Sequence, residues 1–317
     1  MDKQPSLFIG VDLGGTKVRA AVFDAKLQPL HKTEMASEAA AGRERVIAVL
    51  EEAVSRLLTQ IEETSTGKSV LGIGISTAGV VDAATGVILD ATDAIPDWRG
   101  TELAARLETR FSLPLAVEND VKCALLGELN ACAPLGQGRV VMLTLGTGLG
   151  GAIAESGNIV AGAHSVAGHF GRMPVPDPRG RGDCVALESL VSGTGLANVA
   201  SHQVGSRRYM NGRAVIEAAA EGDAQALMGL DRFCDFLVMG LEQVYWSLDP
   251  DVILIGGGLV EARDHWWARM EEKLSRRGLP VTVRPAQLDN DAGVYGAGAL
   301  IRAKLIADSG VGADANK

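Results

Sequence analysis

Two segments of the sequence share one pattern, in which an apolar strand runs into a glycine-rich turn and a second apolar strand follows. The first segment, FIGVDLGGTKVRAAVFD, covers 8–24, and the second, RVVMLTLGTGLGGAIAESGNIV, covers 139–160. Apolar runs on both sides of a short glycine turn are typical of β-hairpins. Two copies of one unit, about 130 residues apart, indicate two related α/β lobes that face a shared cleft.

Neither glycine turn fits a common nucleotide-binding motif. The spacing of Gly10 and Gly15 suits a P-loop, but the Thr-Lys pair that follows reverses the required order, and a strand comes next instead of a helix. Residues 146–151 match G-x-G-x-x-G, yet that fingerprint must open a helix, whereas 152–160 have the pattern of a strand. A P-loop and a Rossmann domain are therefore both disfavoured.

The glycine turns nevertheless have the composition of a phosphate-binding site. Glycine leaves backbone N–H groups open to an anion, and the hydroxyls of Thr16, Thr144 and Thr147 add further donors. A third glycine run, at 256–258, also follows an apolar strand. The alternative is that each turn is an ordinary strand connection, but three together favour binding of phosphate groups.

The rest of the chain alternates helices and strands, which predicts an α/β protein with mixed sheets. The strand at 70–76 contains glycines, which indicate that a backbone or a ligand comes close. We expect 1–120 to form an N-terminal lobe, completed by a C-terminal helix at about 293–317, and 121–292 to form a larger lobe. The further predicted strands are 113–120 and 251–259, and the predicted helical regions are 43–63, 102–111, 214–247 and 293–307.

The net charge and the composition disfavour several classes of function. The net charge of −9 disfavours nucleic-acid binding, which needs a basic face. No apolar run approaches about 18 residues and no signal region precedes the first strand, so we expect a soluble cytoplasmic protein with no membrane partner. No C-x-x-C pair occurs among the four cysteines, and we expect reduced thiols at Cys123, Cys132, Cys184 and Cys234.

Acidic residues end two of the predicted strands. Asp12 lies beside the first glycine turn, where a carboxylate suits a Mg²⁺ anchor that acts through water; alternatively it caps its own turn. Glu118, Asn119 and Asp120 end the strand at 113–120. Asp120 is a candidate base for a hydroxyl that attacks phosphorus, with Asn119 orienting that hydroxyl. Asp120 is also a candidate N-cap of the next helix, and the two roles are compatible.

Six motifs, in order, resemble the signatures of the ROK family of bacterial sugar kinases and regulators. They are GVDLGGTKVRAAVFD, GIGISTAGVVD, LPLAVENDVKCALLGE, LTLGTGLGGAI, VAGHFGRMPV and LESLVSGTGLA, and the resemblance extends to NDAGVYGAGALI near the end of the chain. It implies the actin-like, ribonuclease-H-like kinase fold, with two lobes and with ATP and sugar in the cleft between them. In that fold the glycine turn between two strands holds ATP phosphates.

The resemblance also implies residue roles, including roles for His169 and Glu188, which carry no signal alone. Asp120 is then the general base, and Asp12 lies near Mg²⁺ as its anchor through water. The implied sugar contacts are Gly79, Asn119, Asp120, His169 and Glu188. The implied ATP contacts are Asp12, Gly14, Gly15, Thr16, Lys17, Thr147 and Gly148, with Gly256 and Gly257 near the adenosine. Family behaviour and apolar surface residues further suggest a homodimer.

One departure from the family concerns a structural zinc, which members usually hold with one His and three Cys. Counting back from Glu188, Arg179, Arg181 and Ala186 occupy the cysteine positions and Arg172 occupies the histidine position. Arginine stays protonated and cannot ligate zinc, so we predict no zinc site. Packing and ion pairs would hold the segment instead, and Asp177 or Asp183 is expected to pair with one of the arginines.

A second departure is His169, because many members have Glu at that position. Histidine both donates and accepts hydrogen bonds, whereas a carboxylate only accepts them. The Ala-Gly-His-x-Gly pattern is similar to that of bacterial N-acetylmannosamine kinases, so glucose and N-acetylmannosamine are the expected substrates. Ala94 stands where the sugar loop usually has Asn, and the sequence indicates no replacement for the hydrogen bond of that Asn.

Two other functions compete with an ATP-dependent sugar kinase. Regulators of the family carry a helix-turn-helix domain ahead of the first glycine motif, and only eleven residues precede Asp12. A sugar-binding sensor that lacks kinase activity is disfavoured, because Asp12, Asn119 and Asp120 are all retained. The kinase is therefore the leading prediction.

Purified protein is expected to contain zinc far below one atom per chain, because arginine or alanine stands at each of the four ligand positions. Metal analysis after dialysis against a zinc-free buffer measures this directly. One zinc per chain would contradict the prediction.

Overall fold

The structure is a computed structural model that describes residues 6–64, 68–131, 135, 137–180, 182–201 and 208–309. These residues divide into two compact units. Unit 1 takes the described residues within Met1–Ala133, Ala161–Ala167 and Asn290–Lys317, and unit 2 takes those within Pro134–Val160 and Gly168–Asp289. The lobe boundaries at 120 and 292 stay a prediction.

Unit 1 is built on a five-stranded mixed sheet with strand order β3-β2-β1-β4-β7. The first hairpin pairs antiparallel, and two parallel strands continue the sheet on the other side of β1. The elements are β1 (Ser6–Leu13), β2 (Lys17–Phe23), β3 (Pro29–Ala36), α1 (Arg43–Thr64), β4 (Ser69–Thr77), β5 (Val80–Asp82), β6 (Val87–Asp90), α2 (Leu103–Phe111), β7 (Leu115–Asn119), α3 (Asp120–Ala131) and, from the end of the chain, α8 (Ala292–Asp308).

Unit 2 is built on a second five-stranded sheet, with strand order β10-β9-β8-β13-β14. Again an antiparallel hairpin lies on one side and two parallel strands lie on the other. The elements are β8 (Arg139–Leu145), β9 (Leu149–Glu155), β10 (Asn158–Ile159), β11 (Pro174–Pro176), β12 (Cys184–Ala186), α4 (Gly193–Ser201), α5 (Gly212–Ala220), α6 (Ala224–Leu248), β13 (Val252–Gly256), α7 (Trp267–Arg276) and β14 (Val283–Pro285).

The two sheets have the same arrangement of strands, which is what the repeated strand–turn–strand pattern predicts. Both predicted hairpins are present, and the second glycine turn leads into a strand instead of a helix. The mixed α/β fold class is therefore confirmed, and the Rossmann alternative is excluded for this turn.

The predicted helices bury the residues that their spacing selects. In α1 the apolar positions recur every three to four residues and pack on the sheet of unit 1. They include Val46, Val49, Leu50, Val54, Leu57 and Ile61, and each is less than 5% exposed. Burial of this stripe, rather than helix propensity, accounts for most of the stability of such a helix.

Helix α8 packs directly on the strand backbone of unit 1. A Cβ atom on Gly74 would lie 1.8 Å from the carbonyl oxygen of Ala297, so only glycine fits at this contact. The glycines of β4 therefore mark the approach of a helix rather than of a ligand. The same packing brings the first turn of α8 to the end of β1, where a Cβ on Gly293 would lie 2.4 Å from Asp12 Oδ1.

An ion pair supports the segment in which the family usually holds zinc. Arg179 Nε lies 2.8 Å and 2.9 Å from the two carboxylate oxygens of Asp177, whose side chain is only 2% exposed. The predicted pairing of Asp177 with an arginine is thus confirmed. Arg181 lies outside the described residues. Over the described ranges, no group of three His, Cys, Asp or Glu side chains is arranged to hold a metal ion.

Three of the four cysteines lie in the described part of the chain. Cys123 and Cys234 are buried free thiols, and Cys184 is an exposed one; Cys132 lies outside the described residues. A search of the described helices finds none with the length and apolar character needed to cross a membrane.

Candidate active site

The first glycine turn is closed by hydrogen bonds that leave two of its amides unused. Gly14 N donates to Lys17 O at 2.9 Å, while Ser37 donates from its amide to Thr16 O at 3.0 Å and from its hydroxyl to Gly15 O at 2.9 Å. Within the described ranges, no hydrogen bond uses the amides of Gly15 and Thr16, and both residues are exposed. Adjacent unpaired amides form a cradle for an anion.

Asp12, at the end of β1, is fixed by a side chain on the neighbouring strand. Ser76 Oγ donates to Asp12 Oδ1 at 2.6 Å. Burial raises the pKa of Asp12, and the Ser76 hydrogen bond and the charge of Arg19 partly offset that rise. The positive end of the α8 dipole lies next to the carboxylate at Gly293 and favours its charged form. Within the described residues, the hydrogen bond of the Asp12 side chain is the one from Ser76. The alternative, that Asp12 caps its own turn, is therefore not observed there.

Asn119 and Asp120 form one hydrogen-bonded unit at the junction of β7 and α3. Asn119 Nδ2 donates to both Gly79 O and Asp120 Oδ1 at 2.8 Å. Asn119 Oδ1 accepts the amides of Val121 at 3.0 Å and of Lys122 at 3.3 Å. This is N-cap geometry, so the N-cap of α3 is Asn119 and not Asp120. Asp120 is the first helical residue, and its Oδ1 accepts both the Val121 amide at 2.9 Å and Asn119 Nδ2, so its neighbours orient the carboxylate.

The acidity of Asp120 is strongly perturbed. Burial raises the pKa of Asp120 to about 6, and the nearby Asp12 carboxylate adds to the rise, while bonds from Val121 and Asn119 oppose it. Both of those bonds go to Oδ1. Oδ2 takes part in no hydrogen bond that the described residues make. A carboxylate with this pKa is mostly ionised at neutral pH and is a stronger base than an ordinary Asp.

A buried cation supports the same strand end. Lys122 is fully buried, and its Nζ lies 3.0 Å from Ser165 O and 3.5 Å from Glu118 Oε1. Glu118 Oε1 also accepts the Asn119 amide at 2.8 Å. Burial raises the pKa of Glu118, and Lys122 opposes that rise. These contacts fix the backbone on both sides of Asp120.

The second glycine turn, in unit 2, is also closed by one hydrogen bond within the turn and by one from a residue outside it. Gly146 N donates to Gly148 O at 3.0 Å, and Gly146 O accepts the amide of Gly193 at 2.7 Å. In the part of the chain that the structure describes, the amides of Thr147 and Gly148 have no hydrogen-bond acceptor. These are the two residues of this turn predicted to contact phosphate.

The third glycine run lies at a strand end next to the second turn. Gly256 is paired with Thr144 across the β13–β8 ladder. Gly257 has φ of +86°, and a Cβ there would lie 2.7 Å from the backbone of Leu145, so glycine is required. The structure thus brings the predicted adenosine contacts beside the predicted phosphate contacts of unit 2.

The three remaining predicted contact residues, Lys17, His169 and Glu188, lie in different environments. Lys17 Nζ pairs with Glu34 at 2.5 Å on an exposed part of β2 and β3. His169 is half-buried and precedes a short 3₁₀ turn, Phe170–Arg172. Glu188 Oε2 accepts the amide of Leu149 at 2.8 Å, which places the predicted sugar contact against the second glycine turn.

Sequence reasoning missed three supporting residues. Ser76 lies near the end of β4 and is paired with Asp12 across the parallel β1–β4 ladder. The motif GIGIST contains this serine, but its position beside Asp12 follows only from the strand pairing. Ser37 lies 20 residues or more from the turn that it closes, and nothing in the local pattern marks it. Lys122 has the sequence position of a solvent-facing helix residue, and only the tertiary packing buries it.

Replacement of Gly15 by Val tests whether the first turn binds phosphate. A Cβ on Gly15 would have no heavy atom within 4 Å, so protein packing does not require glycine there. We expect Gly15→Val to weaken ATP binding by about tenfold or more by filling the cradle, while the midpoint of thermal unfolding changes by less than about 2 °C. Ala25→Val, at another exposed turn of the unit, is the matched control. Unchanged ATP affinity in Gly15→Val would contradict the assignment.

Asp120→Asn is expected to stabilise the fold. A pKa raised from 3.8 to about 6 means that the folded state binds more protons between these values, so the stability contribution of Asp120 falls as pH rises through this window. Asn keeps the Oδ1 acceptor but carries no charge. The variant should unfold about 3 °C or more above the wild type at pH 7.5, and the difference should vanish near pH 4. A lower unfolding temperature at pH 7.5 would show that the carboxylate is not strained by burial.

Comparison with known proteins agrees with this arrangement. The sequence profile of the ROK family matches residues 8–304. The glucokinase of Halalkalibacterium halodurans is 30% identical, with 93% of this chain and 94% of that protein covered. The N-acetyl-D-glucosamine kinase of Vibrio cholerae is 28% identical, with 93% and 99% covered.

A solved structure is similar over the same length. The ROK family glucokinase from Streptomyces griseus, crystallised with glucose and AMPPNP, is 30% identical and has a TM-score of 0.73, with 93% of this chain and 98% of that chain covered. The predicted actin-like fold is thereby confirmed. The chain belongs to the ROK family.

Proposed function

We propose that the protein is an ATP-dependent sugar kinase that phosphorylates the 6-hydroxyl of a hexose or an N-acylhexosamine. The observation that carries the proposal is Asp120, a carboxylate with a pKa of about 6 whose Oδ1 is held by Asn119. The names of the relatives support the class, since they include a glucokinase and an N-acetyl-D-glucosamine kinase.

Asp120 is the general base in this mechanism. At neutral pH it is mainly ionised, and its Oδ2 would accept the proton of the sugar hydroxyl as that oxygen attacks phosphorus. Asn119 holds the other oxygen at 2.8 Å and is itself fixed by Gly79 O. The carboxylate is therefore oriented before the sugar arrives, which reduces the entropy cost of reaching the reactive geometry.

The donor would be held by backbone amides of the glycine turns. Gly15 and Thr16 in unit 1, and Thr147 and Gly148 in unit 2, present amides to phosphate oxygens. An amide that donates to a phosphate oxygen stabilises the charge that develops during transfer, because it is already oriented. Gly256 and Gly257 would contact the adenosine.

The residues present also fit a Mg²⁺ ion at Asp12. Mg²⁺ prefers carboxylate and water oxygens, and Asp12 raises the pKa of Asp120, so a cation near this pair would relieve their repulsion. When bound, Mg²⁺ neutralises charge on the donor phosphates. Ser76 keeps the Asp12 carboxylate oriented for that purpose.

The sugar would be recognised by Gly79, Asn119, His169 and Glu188. His169 is the informative difference, because an imidazole offers both a donor and an acceptor where a carboxylate offers only acceptors. Glucose and N-acetylmannosamine are the proposed substrates. In the ROK family the Glu at this position typically bonds the sugar hydroxyls near C1 and C2, so a substituent at C2 is the feature on which specificity is proposed to depend.

A coupled ADP-release assay across glucose, mannose, fructose, N-acetylmannosamine and N-acetylglucosamine tests the proposal. We expect turnover of glucose or of an N-acetylhexosamine, and a loss of about 10²- to 10⁴-fold in kcat for Asp120→Asn, because the base is removed. The thermal unfolding of the same variant shows that it is folded. No turnover of any sugar would overturn the proposed function.

The same screen on His169→Glu tests the specificity argument. The variant should favour glucose over N-acetylmannosamine relative to the wild type. His164→Glu, at an exposed histidine nearby in the sequence, is the matched control and should not change the ratio. Turnover of glucose alone by the wild type would remove the reason for assigning specificity to His169.

A further inference from the structure

A single short segment holds both ends of the second glycine turn. At one end, Gly193 N donates to Gly146 O at 2.7 Å. At the other end, Leu149 N donates to Glu188 Oε2 at 2.8 Å. The amides of Thr147 and Gly148 lie between these two anchors. The position of the proposed phosphate cradle is therefore set by 188–193.

The backbone that carries Glu188 is itself fixed. Glu188 lies in a 3₁₀ turn, Leu187–Ser189, whose first residue is only 2% exposed. Leu187 N donates to Met173 O at 2.9 Å, and Leu187 O accepts the amide of Val191 at 2.8 Å. Glu188 is exposed, but its side chain extends from a backbone turn that these hydrogen bonds hold in place.

The carboxylate of Glu188 also packs tightly on the turn. A Cβ on Gly148 would lie 2.3 Å from Glu188 Oε2, so a side chain at 148 would displace the carboxylate from this position. The contact brings a negative charge close to amides that are proposed to bind phosphate. Charge alone would therefore make Glu188 unfavourable for the donor, whereas its hydrogen bond from the Leu149 amide gives it a positional role.

We propose that Glu188 is a positioning residue for the phosphate donor as well as a sugar contact. By accepting the Leu149 amide, it holds the amides of Thr147 and Gly148 in the orientation that the donor phosphates require. The inference rests on the proposed function. It links the acceptor and donor halves of the reaction, because one carboxylate oxygen holds the donor turn, while the other makes no hydrogen bond within the described residues and would accept one from a sugar hydroxyl.

Three substitutions separate position from charge. Glu188→Gln keeps the reach and an acceptor oxygen but removes the charge. Glu188→Asp keeps the charge but is one methylene too short to reach Leu149. Glu188→Ala removes both. Ser189→Ala, on the same 3₁₀ turn, is the matched control. The measurement is the Kd of Mg²⁺-AMPPNP by titration calorimetry without sugar, so that loss of the sugar contact does not contribute.

We expect the Asp and Ala variants to bind AMPPNP about ten- to 150-fold more weakly than the wild type, which corresponds to the loss of one hydrogen bond to a charged group. The Gln variant and the control should bind within about twofold of the wild type. If Glu188→Asp bound with wild-type affinity while the Gln and Ala variants bound more tightly, the inference would be overturned. Glu188 would then act on the nucleotide only through charge repulsion. Absence of nucleotide binding by the wild type would overturn the proposed function together with the inference.

Discussion

In each unit a short glycine turn joins two antiparallel strands, and the hydrogen bonds that close the turn use only part of its backbone. In unit 1, Ser37 holds the carbonyls of the turn. In unit 2, Gly193 and Glu188 hold its two ends. What remains, in the described ranges, is a pair of neighbouring amides at Gly15 and Thr16 and another at Thr147 and Gly148. Backbone donors left without an acceptor are costly when buried, whereas these four residues are exposed or half-buried on turns, where a ligand can reach their amides.

Three acidic residues of unit 1 also lie where burial makes their charged form unfavourable. Burial raises the pKa of Asp12, Glu118 and Asp120, so each carboxylate is less favourable in the folded protein than in water. Only Glu118 has a buried ammonium beside it, from Lys122. Asp12 instead raises the pKa of Asp120. A fold that needed only stability would replace them, which is the physical basis for treating this pair as functional.

The sequence was sufficient to predict the elements of the fold and the location of the chemistry. Apolar runs around glycine turns predicted both hairpins, and the three-to-four spacing predicted α1, because a single pattern dominates each segment. The role of the glycines was ambiguous. A Cβ on the glycines of β4 would clash with helix α8, whereas a Cβ on Gly15 would have no heavy atom within 4 Å. Local sequence cannot distinguish the two cases, since the difference lies in what another part of the chain brings near. The same limit explains why Ser37, Lys122 and the contact of Glu188 with Leu149 were not predicted.

The contact between α8 and β1 has a consequence for how the protein is made. The strand precedes the helix by more than 270 residues, so it leaves the ribosome well before the helix does. Until 292–308 emerge, the glycine-lined face of β1 and β4 has no cover, and unit 1 cannot complete its packing during synthesis of the intervening residues. Domains generally fold as units, and the first sheet of unit 1 lacks its α8 cover until that helix is made, so we expect the nascent chain to expose this apolar face until then.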